Sequence, residues 1–121
     1  MAFEVSLQTV SVPASADLST KQFLVGTINA SGQVAVVGAG LASDGVIALG
    51  PSAQARPCAL ASFPGQIARV MAGASFANGA LLEADANGKA ITQSSGKILA
   101  KALAAAGAAG DIVPVLLILQ R

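Results

Sequence analysis

The chain has 121 residues, the length of one domain, with 54% hydrophobic, 3% aromatic and 11% charged residues and a net charge of +1. It has no histidine and a single cysteine, Cys58, which excludes Ser-His-Asp and Cys-His catalysis, an intramolecular disulfide and a thiolate zinc site. No basic stripe with interleaved aromatics marks a nucleic-acid surface. The longest apolar run, Ile112 to Leu119, is broken by Pro114 and is far shorter than the ~20 residues of a membrane-spanning helix.

The first segment, MAFEVSLQTVSVPAS, alternates. Phe3, Val5 and Leu7 share one face, Val10 and Val12 continue the apolar pattern, and Glu4, Ser6 and Gln8 point the other way. Residues 1–16 read either as a first strand on the domain's own sheet or as an arm that adds to another protein's sheet. They lack the basic start and apolar run of a secretory signal. Residues 17–121 then read as one β domain. Short apolar runs follow one another: QFLVGTI, QVAVV, VIAL, IARVMA, KAITQ and IVPVLLIL. Between them stand NASGQ, GAG, SDG, GPS, FPG, ANG, DANGK, SSGK and GAAGD, each rich in turn formers. This rhythm predicts an all-β sandwich or barrel. Asn-Gly in DANGK is its strongest hairpin signal, because both residues tolerate positive φ.

Sliding the chain by about 56 residues lays NASGQVAVVGAG over DANGKAITQSSG. Gly32 then meets Gly88, Gly40 meets Gly96, Leu60 meets Leu116, and Asn29 meets Asp85. The matched glycines point to shared turn geometry and so to internally duplicated strand-turn-strand halves. This bears on GKILAKALAAAGAAGDIV. Its Ala, Leu and Lys are strong helix formers, yet its counterpart in the first copy contains GVIAL, which reads as a strand. We therefore expect a strand over 97–105, with one short helix as the alternative.

The residues offer little chemistry. Glu4, Asp17, Asp44, Glu83, Asp85 and Asp111 are scattered, and several sit in turns where a carboxylate bonds its own backbone. GAGLASDG lacks the βαβ context of a nucleotide loop. Lys89 and Lys97 lie near turns but lack the flanks of a lipoyl- or biotinyl-carrier lysine. Cys58 reads as a small buried side chain. No catalytic, cofactor-binding or metal-binding constellation is expected, and no enzyme activity. A surface this poor in charge instead suggests cover by copies of itself or by a partner.

Taken together, DLSTKQFLVGTINASGQVAVVGAG, GVIALGPSA and GALLEADANGKAITQSSGKILAKALAAAGAAGDIVPVLL resemble the capsid decoration, or cement, proteins of tailed bacteriophages, a group often described as DUF2190-like. Asp17-Leu18-Ser19, Asp85 to Lys89 and Gly110 to Val113 carry the likeness, which spans about residues 17–118. SAQARPCALASFPGQIARV, with two prolines and Arg56, departs from it. The resemblance implies a homotrimeric virion protein, assembled in the host cytoplasm, on the exterior of the expanded icosahedral head. It would bridge major capsid protein subunits and strengthen the shell, with no cofactor, nucleic acid or membrane as partner. Phe3, Val5, Leu7, Val10 and Val12 would then form the capsid-contact arm. The alternatives are a small β binding or carrier module, or another virion subunit of a tail tube or head fibre.

Overall fold

A computed structural model describes residues 9–121. Ten strands follow in order: β1 (Val10–Pro13), β2 (Val25–Ile28), β3 (Val34–Val36), β4 (Gly45–Leu49), β5 (Pro57–Ala61), β6 (Ile67–Met71), β7 (Leu81–Ala84), β8 (Ala90–Thr92), β9 (Ala100–Ala102) and β10 (Ile112–Leu117). No helix occurs among the described residues. The strands form two five-stranded antiparallel sheets, β1-β5-β4-β2-β3 and β6-β10-β9-β7-β8. The expected all-β, sandwich-like fold is what the chain adopts.

The two sheets have one topology, and their strand pairs correspond residue by residue. Gly26 opposes Val36 as Leu82 opposes Thr92, and Val25 opposes Val46 as Leu81 opposes Lys101. Val46 opposes Ala61 as Lys101 opposes Leu116, and Val10 opposes Leu60 as Ala68 opposes Val115. These pairs fix the repeat. The shift is 56 residues for β2 and β3, 55 for β4 and β5, and 58 for β1. The gap-free slide is thus right for the first hairpin and one residue out later, so the counterpart of Leu60 is Val115 rather than Leu116.

In each half a parallel bridge ties the far edge strand, β3 or β8, to the residue just beyond the opposite edge strand, β1 or β6: Ala14 with Val34, and Ala72 with Ala90. Each sheet therefore curls until its edges meet at one end. The first half encloses Ala14, Leu18, Val34, Ile47, Cys58 and Leu60. The second encloses a core that also takes in Val25, Val46 and Ala61 from the first.

The paired hairpins show why the glycines match. Asn29 Oδ1 accepts the N–H groups of Ser31 and Gln33, both at 3.0 Å. Asp85 Oδ1 accepts those of Asn87 and Lys89 at 2.8 and 2.9 Å. In each the fourth residue takes positive φ, +73° at Gly32 and +76° at Gly88, where only glycine is free of strain.

The segment 97–105 is only partly a strand. β9 covers Ala100–Ala102, with both alanines buried and Lys101 exposed. Leu99 breaks the expected alternation: it is buried beside Ala100, and its N–H donates to Leu82 O at 2.7 Å. Beyond Ala102 the chain bends, so helix propensity loses to cross-strand pairing and the strand is shorter than expected. That bend explains Pro114 inside a central strand. Its carbonyl accepts from Leu103 N–H, on the β9 side. In an antiparallel strand a residue's N and C=O point the same way, so the missing N–H faces the place where β9 has ended.

Candidate docking surface

Chemistry first. Among the described residues no group of His, Cys, Asp or Glu could hold a metal ion. Cys58 is buried, and burial pushes its thiol pKa up. Burial alone would raise the Asp44 pKa, but the Ile28 N–H, the Arg121 guanidinium and the Thr27 hydroxyl together hold it below the usual value. Asp44 accepts from Ile28 N at 2.7 Å and Thr27 Oγ1 at 3.0 Å and pairs with Arg121. Asp17 is lowered by the Ser19 hydroxyl and N–H. Asp111 caps the Gly107 and Ala108 N–H groups. Glu83 is buried and accepts Ser94 N–H at 2.7 Å. Each of these carboxylates is occupied by local structure.

The expected arm is divided. Phe3, Val5 and Leu7 lie outside the described residues. Val10 and Val12 lie in β1, opposite Leu60 and Cys58, and pack half-buried against the first core. Lys89 is half-buried along an open cleft between the halves, with Lys21, Leu24, Val36, Met71 and Asn87, and Lys97 is exposed. Half-buried beside the cleft, Lys89 is not held out into solvent as a carrier lysine is.

The remaining feature is the junction of the halves. The first half presents one cross-strand row, Val25, Val46 and Ala61, to the second. All three are at most 2% exposed and belong to the second half's core. The second half answers with its hairpin tip. Gly88 O accepts Val25 N–H at 2.7 Å, and a Cβ at Gly88 would lie 2.5 Å from Val36 Cγ1. Met71 N–H donates to Phe23 O at 2.9 Å, and Gly40 N–H donates to Ala84 O at 2.9 Å. Gly40 and Gly96 meet backbone to backbone: a Cβ on Gly96 would lie 2.5 Å from Gly40 Cα and 1.9 Å from Glu83 Oε2.

Among the described residues, the counterpart row in the second half, Leu81, Lys101 and Leu116, has no such cover. Leu81 is 41% exposed, Lys101 is exposed and Leu116 is half-buried. Leu116 belongs to the outer face of β10, where Ile112 and Pro114 also point away from the core, and Ile118 just beyond the strand is exposed too. Reading the sequence missed this face. The overlay of Leu81 on Val25 was the available signal.

This is a small duplicated β protein whose geometry offers apolar strand faces for docking rather than a pocket for chemistry. No known family profile matches the chain, and no curated protein matches it. Among solved structures it is similar to the head fibre gp8.5 N base of bacteriophage phi29, with 14% sequence identity and a TM-score of 0.68, over 95% of this chain and 97% of that one. At this identity the likeness is one of fold.

Proposed function

We propose that this chain is a structural protein of a tailed-phage virion: a decoration subunit that sits as a homotrimer on the outside of the expanded head and bridges major capsid protein subunits. The observation that carries the reading is the fold shared, over nearly the whole of both chains, with the base of a phage head fibre. The residue-level resemblance to decoration proteins points to the same setting. The composition agrees with it. A chain with 11% charged residues and no histidine is suited to repeated contact, where modest burial per copy is multiplied over a lattice.

A head-fibre base is the second reading, favoured by the identity of the structural neighbour. Both readings place the protein on the head exterior, and neither assigns a catalytic residue. The test is co-sedimentation of purified protein with expanded and unexpanded heads that lack it. Binding to expanded heads is the expected outcome. Failure to bind either form would remove both readings, and equal binding to both would remove the claim that the expanded lattice is recognised.

A further inference from the structure

We propose that copies of this chain join head to tail by repeating, between molecules, the contact that its two halves make within one. The occupant of the open row Leu81–Lys101–Leu116 is then the β2–β3 hairpin end of a second copy.

The argument is one of unmatched counterparts. The internal contact uses a row on the first half and a hairpin end on the second. Each has an equivalent on the other half, and both equivalents are left open. The row is buried as Val25–Val46–Ala61 and open as Leu81–Lys101–Leu116. The hairpin end is covered at Ala84, 2% exposed, and at Gly88, where a Cβ would strike Val36. Its equivalents, Ile28 and Gly32, are open: Ile28 is 39% exposed, and a Cβ on Gly32 would meet nothing within 4 Å.

The contact is not reciprocal. Val25 meets Gly88, but Gly32 does not meet Leu81, so the halves are related heterologously. A heterologous contact leaves one free surface of each kind, and these close into a ring when the rotation permits. Of the two matched glycine pairs, Gly40 and Gly96 touch each other, as equivalent positions near a rotation axis must. With three copies, a number that rests on the proposed homotrimer, the ring would hold six similar β units. Chemistry favours this occupant. Leu81 and Leu116 are apolar where Val25 and Ala61 are apolar, Lys101 can lay its methylenes along the surface, and Ile28 supplies an apolar partner from the other side.

The test needs only the free protein, so its failure is distinct from a failure to bind heads. Masses of the full-length chain, Leu81→Arg and Ile28→Arg are measured by light scattering, alone and mixed one to one. Both positions are exposed, circular dichroism checks folding, and Leu81→Ser serves as a milder second variant. The expected result is a trimer for the unmodified chain, a monomer for each arginine variant, and a dimer for the mixture. In the mixture each variant supplies the surface that the other lacks. A monomeric unmodified chain, an arginine variant that keeps the unmodified mass, or a mixture that stays monomeric would overturn the proposal.

Discussion

At Asp44 a single carboxylate ties three parts of the chain. It accepts the Ile28 N–H and the Thr27 hydroxyl of β2 and pairs with Arg121, whose guanidinium also reaches Ser43 O at 3.5 Å. Its pKa is lowered in the folded state, despite burial that acts the other way. A carboxylate of this kind contributes stability that is present above its unfolded pKa, about 3.9, and is lost as pH falls through the folded value. Asp17, lowered by Ser19, acts in the same direction from the surface. Asp44→Asn should therefore cost about 1 kcal/mol at neutral pH, read as a lower midpoint in urea, and progressively less as pH falls below the unfolded pKa toward the folded one. A constant penalty from pH 7 to pH 3 would show that the carboxylate's charge is not what matters. Gly96 is a harder constraint. A methyl there would strike both Glu83 Oε2 and Gly40 Cα, so Gly96→Ala should destabilise by about 1–3 kcal/mol. Gly32→Ala, which meets no neighbour within its own chain but lies at positive φ, should cost a single copy about 1 kcal/mol from backbone strain.

Elements were legible in proportion to how local their causes are. The hairpins announced themselves through Asn-Gly and Asn-x-x-Gly turns, and β2, β3, β4, β6, β8 and β10 fall on the runs read as strands. β5 was hidden inside PCALA, a short run framed by prolines, and β7 inside LLEA, where Glu83 is buried by its bond to Ser94. The low identity of the repeat has a physical reason. At one set of equivalent interior positions the first half has Gly26, Val34, Ile47 and Leu60, and the second has Leu82, Ala90, Ala102 and Val115. Large and small residues exchange places while the interior stays filled: a Cβ on Gly26 would lie 3.2–3.3 Å from Leu60, Ile47 and Val34. Conserving total volume is enough to keep a core, so the sequences drift while the register persists. The docking face was not legible, because which of two equivalent rows is covered depends on how the halves meet. β1 gives this scale its prediction. Val10, Val12 and Ala14 contribute to the first core, and Ala14 closes the sheet. Removing residues 1–14 takes away β1 and the Ala14 bridge and should lower the melting midpoint of the whole protein, followed by circular dichroism. A capsid-binding role for Phe3, Val5 and Leu7 is therefore tested by substitution at those positions rather than by that deletion.

Across the whole molecule, the two halves are alike in topology but unequal in dependence. The first half encloses its own interior cluster, yet its row Val25–Val46–Ala61 is buried only by joining the second half's core. Exposing three such side chains would forfeit apolar burial worth roughly 25 cal/mol per Å², along with the bonds Gly88 O makes to Val25 N–H and Phe23 O to Met71 N–H. The halves should therefore unfold together, as single domains of this size do. Cys58 makes this measurable without a label. It is buried in the first half's interior, its thiol pKa is raised by burial, and the sequence has no second cysteine to compete. In a urea titration, the reaction of Cys58 with a thiol reagent reports the first half, and far-ultraviolet circular dichroism reports both. The two transitions should coincide. Val46→Asp, which places an uncompensated charge at the junction, should separate them, with Cys58 becoming reactive while part of the β signal persists. If Cys58 instead reacts well before the β signal falls in the unmodified protein, the junction is too weak to couple the halves. The internal contact would then be a poor template for joining one copy to the next.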